Sequence, residues 1–277
     1  MGISSSTAAG PNTGTDSTKA ASRSQAMWRF LHNDSVSIKA LMEPLKLAAR
    51  DGSSTSTSPF VLIMHDWSKL NCKTHESKND KVQLTHKNDV GYDLTASLAV
   101  DASNGVSLAA VAMQLRTSKR LITTMSKRSK LIAKHLDQIE PVMDEVADMQ
   151  LGRTRLWYNH RWKIETFFKL MKSAGQQIEC WQQSDGMAIM RRLLIGSMAC
   201  VYVWRLLTDE SEEAVQKREH LMKLSGRQTK RGVKATASGL LAGWYSLLSV
   251  LNLLDSGITI EQLRKYAKTR APPGFSV

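Results

Sequence analysis

The stretch YNHRWKIETFFKLMK, Tyr158 to Lys172, holds no proline or glycine and sorts its residues at helical spacing. At about 100° per residue, Tyr158, Arg161, Glu165 and Lys172 share an arc of roughly 60°. Ile164, Phe167, Leu170 and Met171 take the opposite side. The spacing therefore predicts a helix that buries one face and shows phenol, guanidinium, carboxylate and ammonium on the other. Glu165 on that row has two uses: to pair with Arg161 one turn away, or to hold a metal ion. Arg161 and Lys172 on either side of it suit a polyanion lying along the helix.

The order Tyr, two residues, Arg, three residues, Glu, six residues, Lys resembles the signature of a family of bacterial insertion-sequence transposases of the DDE type. Their catalytic core is similar to those of ribonuclease H and the retroviral integrases. The resemblance continues through SAGQQIECWQQ and RRLLIGSMACVYVWRLL, and upstream in RFLHNDSVS and VLIMHDWSKLN, covering most of residues 28–207. It implies an α/β fold, a ribonuclease H-like mixed sheet flanked by helices, followed by a helical C-terminal region. It also implies that Asp66 and Glu165 are catalytic and bind metal, with Tyr158, Arg161 and Lys172 gripping DNA. The cofactor would be Mg²⁺ or Mn²⁺ in a two-metal site, and the partner double-stranded DNA at transposon ends.

Composition agrees with those expectations. The chain has 277 residues and a formal net charge of +13, which points to nucleic acid or an anionic membrane surface. Cys72, Cys180 and Cys200 share no metal-ligand or CxxC spacing and read as reduced thiols. No N-terminal apolar run resembles a signal peptide, and the apolar segment Leu193 to Trp204 is too short to span a bilayer. The expectation is a soluble, cytoplasmic protein with no membrane partner.

Upstream of the signature, residues 1–27 are Ser, Thr, Ala and Gly with scattered charges and read as a disordered tail. Residues 28–58 read as a remnant of an N-terminal DNA-binding region, with Ser37 as a helix cap and a Gly52 to Ser58 linker. Only 27 residues precede Trp28, fewer than such a domain needs. Phe60 to Met64 is a continuous apolar run that reads as a buried central strand delivering His65 and Asp66 at its C-terminal end. Lys69, Lys73, Lys78, Lys81 and Lys87 follow and could track phosphates or line a solvated loop. Alternation from Tyr92 to Val100 and from Val106 to Ala112, around Asn104-Gly105, predicts an antiparallel pair of strands.

Residues 117–150 read as one or two helices, with Pro141 restarting the second. No strand-like run appears between Met113 and Tyr158, and Asp-Arg-Glu occurs nowhere. The resemblance requires there a parallel strand ending in a second catalytic Asp, then a β-rich insertion. The expectation is therefore a ribonuclease H-like core over residues 59–208 with an internal deletion near 150–156. A diverged fold recruiting Asp144 or Asp148 is the alternative. Residues 209–277 read as a charged linker and C-terminal helices, and the resemblance implies a homodimer through those helices. Three functions stay in view: an active transposase, a non-catalytic DNA-binding remnant, and an unrelated basic helical scaffold.

Overall fold

Residues 17–126, 139–149, 151, 153–156, 162–174, 176–228, 233 and 235–269 are described by the computed structural model of the chain. Its centre is β1, Phe60–Asn71, paired antiparallel along its whole length with β3, Val90–Asp101. Next come β4, Ser107–Arg116, and the short β5, Leu121–Thr123, both antiparallel to their neighbours. On the other side of β1 lies β6, Arg153–Leu156, which runs parallel to it. Among the described residues the sheet order is β5-β4-β3-β1-β6, with β2, Val82–Gln83, paired to β3. The fold is mixed α/β.

The predicted antiparallel strands stand where alternation placed them. Asp101 turns the β3–β4 connection: its carboxylate accepts from the Ser103 amide and hydroxyl and from Asn104. Gly105 closes the turn at φ 70°, a left-handed conformation that favours glycine.

Several expectations need correction. β1 does not stop at Met64; it continues through Asp66 to Asn71, so Asp66 sits in mid-strand. Residues 117–126 are not helical. Thr117 folds the chain back through its bonds with Arg120 and Lys119, and Leu121, Ile122 and Thr123 then pair with β4. The segment 150–156, expected to have lost its strand, holds β6. Its four residues RTRL carry no apolar run, so only the pairing with β1 makes them a strand.

Helices cover both faces. α1, Ser17–His32, starts inside the stretch expected to be disordered, and α2, Ile38–Ser54, extends into the expected linker. Ser37 caps α2 as predicted, its hydroxyl accepting from Ala40. The buried face of α2, Ile38, Met42, Leu45 and Ala49, joins the same core as the strands. α3, Ile139–Ala147, carries Pro141 in its first turn, where a missing amide costs nothing. Its Glu145 meets Lys46 of α2 at 2.9 Å, and Arg50 Nε donates to the Met149 carbonyl at 3.0 Å.

α4, Trp162–Lys169, passes into a π-helical turn, Leu170–Ala174. α5, Gly186–Thr208, is the central core helix. Its buried Arg191 donates to the carbonyls of Leu31 and Val36, fastening the turn between α1 and α2. α6, Glu212–Ser225, and α7, Ala237–Asp255, pack against one another, and α8, Ile260–Thr269, follows. The apolar helices are longer than the Leu193 to Trp204 segment suggested. By length and composition α5 and α7 could each cross a bilayer; α5 is largely buried within this core and α7 much less so.

Candidate functional site

The register decides which side chains share a face. Cross-strand partners lie on one side of a sheet, so Asp66, Ala96 of β3 and Met113 of β4 form one row. Met113 Sδ meets Ser197 of α5 at 3.8 Å, so Asp66 belongs to the face that α5 covers. α4 lies in the same layer. Phe167 tilts against Trp204 of α5 at 6.0 Å between centroids, and Met171 Sδ lies 3.9 Å from Cys200 Sγ. The direction of α4 follows from its ends. Lys163 approaches Gly105 at the end of the sheet where β1 begins, while Lys172 reaches Lys69 near the other end. α4 and its π turn therefore run along β1 in the same sense.

Within that frame Ile164, Phe167, Leu170 and Met171 are buried as predicted, and Glu165 is exposed. Asp66 is buried at 4% exposure, and its Oδ1 accepts from the Trp67 amide at 2.9 Å. Asp66 and Glu165 thus stand on one side of the sheet, on a strand and helix in contact. Tyr158 and Arg161, together with His160, lie outside the described residues.

Lys172, expected to meet DNA as a point charge, is engaged inside the fold. Alternate strand residues point their amides and carbonyls to opposite edges. The Cys72 amide bonds Val90 of the β3 side, so Trp67, Lys69 and Asn71 point to the outer edge. Among the described residues β6 covers that edge as far as Ile63. Beyond it, side chains supply the partners. Asp66 takes the Trp67 amide, Lys172 Nζ donates to the Lys69 carbonyl at 2.7 Å, and Glu179 Oε1 accepts from the Asn71 amide at 2.9 Å. Lys172 and Glu179 also pair with each other at 3.2 Å. An edge strand left open is a template for stray pairing; here three side chains blunt it. Glu179 lies within the SAGQQIECWQQ segment, but nothing in its spacing marks it as an edge cap.

The opposite face carries different chemistry. His65 Nδ1 shares a hydrogen bond with Ser97 Oγ at 2.8 Å, and these residues line a small cavity with Val142 of α3. α3 therefore stands over the face away from Asp66. Asp144 and Asp148, the candidate substitutes for a missing ligand, are carried by α3 and the turn that ends it, on that far side. Glu145 is committed elsewhere: burial works to raise its carboxyl, but bonds from Ser126 and Lys46 hold it below the usual range. Two of the lysines expected to track phosphate are also consumed. Lys78 is buried, its ammonium donating to the Gln183 carbonyl at 2.9 Å, and Lys81 donates to His75 at 2.6 Å.

Two open clefts of about 380 Å³ lie away from Asp66. One is lined by Asp51, Asp101 and Arg205, the other by Asn79, Lys119 and Arg120. Among the described residues no three His, Cys, Asp or Glu side chains converge as a metal cage. Asp66 and Glu165 offer hard oxygen donors of the kind that Mg²⁺ and Mn²⁺ prefer. β6, parallel to β1, contains Arg, Thr, Arg and Leu and so supplies no third carboxylate. No family model matches this chain, and no curated protein matches it.

Proposed function

We propose that this chain is a DNA-processing protein of insertion-sequence transposase type, built on a ribonuclease H-like core, with duplex DNA as its partner and weak strand cleavage. The observation that carries the reading is the placement of Asp66. It lies in mid-strand on β1, a strand with an antiparallel meander on one side and, over Phe60–Ile63, a parallel strand on the other. On its face a helix runs along that strand carrying Glu165. A strand carboxylate and a helix carboxylate on one side of such a sheet form a hard-oxygen pair for one divalent cation.

Asp66 and Glu165 would hold that ion. When bound, Mg²⁺ or Mn²⁺ polarises a phosphodiester and lowers the pKa of an attacking water. The chain's own contribution is charge and position. By the resemblance Arg161 and Tyr158 would grip the DNA backbone, a guanidinium being suited to bidentate phosphate contact. Lys172 holds the edge of β1 in place beside Asp66. A second ion needs a further carboxylate, and β6 occupies that flank of β1 without one. Losing even an outer-shell partner of a metal site costs about 10–100-fold, so a missing direct ligand leaves cleavage weaker still. The non-catalytic DNA-binding reading is favoured by this same strand. A homodimer through the C-terminal helices and a cytoplasmic location complete the proposal.

The test is nicking of a DNA substrate carrying the element's ends in Mg²⁺ or Mn²⁺, beside Asp66→Ala, with duplex binding measured in parallel. Salt-sensitive duplex binding with trace cleavage lost in Asp66→Ala is expected. Rapid metal-dependent cleavage would overturn the weak-activity reading. Duplex binding indifferent to salt between roughly 50 and 200 mM would overturn the DNA reading.

A further inference from the structure

On the sheet face opposite Asp66, what the strands offer and what covers them do not match. Trp67, Thr95, Gln114 and Thr123 form one cross-strand row on β1, β3, β4 and β5, beside the row of His65, Ser97 and Ala112. Among the described residues, Val142 of α3 and Met125 close the cavity into which this part of the sheet opens. Gln114 lines that cavity at 3% exposure, and neither its amide nitrogen nor its amide oxygen has a hydrogen-bond partner. Such a side chain can donate twice and accept twice, and the isopropyl group of Val142 answers none of this. The cavity also has no room for a water molecule to do so.

α3 is held in place by other means. Val142, Val146 and Met149 are buried in the common core. Glu145 accepts from Lys46 Nζ at 2.9 Å and from the Ser126 amide at 2.8 Å, and the Met149 carbonyl accepts from Arg50 Nε at 3.0 Å. These bonds run to α2 and to Ser126 and leave Gln114 as it is. With nine residues α3 is shorter than a helix that persists alone, so docking and helical form are lost together.

Lifting α3 gives both orphaned atoms of Gln114 to water. A buried polar group without a partner shifts the balance toward a wetted state by about fivefold to a hundredfold. Nothing in that opening unpairs the sheet, since β4 keeps β3 on one side and β5 on the other. Relief of the mismatch therefore needs only a local event.

We infer that α3 is a lid: it opens to water on its own while the sheet stays folded, and so uncovers the polar row of Thr95, Ser97 and Gln114. One row further along, Lys69 and Arg116 are exposed already. Opening thus joins a hidden set of hydrogen-bonding side chains to a cationic margin. The lid stands on the side of the sheet away from Asp66 and Glu165, and its motion does not depend on that pair.

The experiment is hydrogen exchange read by mass spectrometry on the full chain, without metal or DNA, at several urea concentrations below the unfolding transition. Peptides from α3 should exchange about a hundredfold faster than peptides from β3 and β4, as a locally opening unit does. Their rates should depend weakly on urea, because little surface is exposed. Gln114→Met, similar in size and apolar, removes the orphaned atoms and should slow α3 exchange about tenfold. Gln114→Glu sets a charge beneath the helix and should speed it. If α3 shows the same protection and urea slope as β3, it opens only with the whole fold and the inference is overturned. Fast α3 exchange that Gln114→Met leaves unchanged would overturn it too, by showing a helix that frays without regard to the row beneath it.

Discussion

Lys172 Nζ donates to the main-chain carbonyl of Lys69 at 2.7 Å, joining the π-helical turn after α4 to the outer edge of β1. The bond makes Lys172 part of the fold, with Glu179 3.2 Å away. A charged hydrogen bond contributes about 1.5–3 kcal/mol when well buried. Lys172 and Glu179 are each about a third exposed, so solvent reduces that value. Lys172→Ala should therefore cost about 1–2 kcal/mol, seen as a fall in melting temperature of about 2–6 °C. Its duplex-binding salt slope should match wild type. A variant that melts normally but loses about one unit of salt slope would return Lys172 to the DNA.

The pair Lys46–Glu145 predicts a specific pH response. Burial works to raise the Glu145 carboxyl, but the Ser126 amide and Lys46 outweigh it and hold the group below its ordinary 4.5. A lowered folded-state pKa means that the unfolded chain binds the proton more readily. The stabilisation is then fully present above about pH 4.5 and is lost as pH falls through the lowered value. Urea midpoints measured between about pH 6 and pH 3 should show this loss, and Glu145→Gln should flatten it. An unchanged slope in Glu145→Gln would show that other carboxylates dominate. Lys46→Met, which strands the buried carboxylate, should cost about 3 kcal/mol at neutral pH.

The three cysteines should separate by exposure. Cys180 is exposed, whereas Cys72 and Cys200 are buried. Burial pushes the Cys200 thiol up to about 12 and raises Cys72 as well, so neither offers much thiolate at neutral pH. A thiol-reactive chromophore should therefore modify one cysteine promptly in the native protein and three after denaturation. Cys180→Ser should abolish the prompt phase. Prompt reaction of a second cysteine would show that the β1 end or α5 opens readily.

The strands that the sequence revealed are those whose burial forces a pattern. The run Phe60 to Met64 and the alternation of β3 and β4 are consequences of facing a core, and apolar spacing reports that directly. β5 and β6 are legible only through their partners. RTRL has no pattern of its own and becomes a strand because β1 offers it a parallel edge. The strand that carries Asp66 announces itself in the run before it, but the mid-strand position of Asp66 does not, because the polar residues after Met64 hide a strand that continues to Asn71. The edge-capping role of Lys172 and Glu179 depends on where β6 ends, a long-range fact that no local spacing carries.

If Asp66 and Glu165 form a one-ion site, Mg²⁺ binds the folded chain better than the unfolded one, and stability rises with its concentration. At a free concentration ten times the dissociation constant the gain is about 1.4 kcal/mol, a shift of about 3–5 °C for a chain of this size. Ca²⁺ should act similarly, since the donors are hard oxygens. Asp66→Asn keeps an oxygen acceptor for the Trp67 amide while removing the charge, so it should fold normally and lose the shift. Glu165→Gln should do the same. Asp144→Asn and Asp148→Asn should keep the full shift, because α3 stands over the far face of the sheet. A shift that survives Asp66→Asn but disappears with Asp144→Asn would move the metal to that other face and sink the pairing of Asp66 with Glu165. No shift at all in wild type, with the metal raised to millimolar levels, would leave Asp66 as a cap for the edge of β1 and the chain as a DNA-binding protein without a cation.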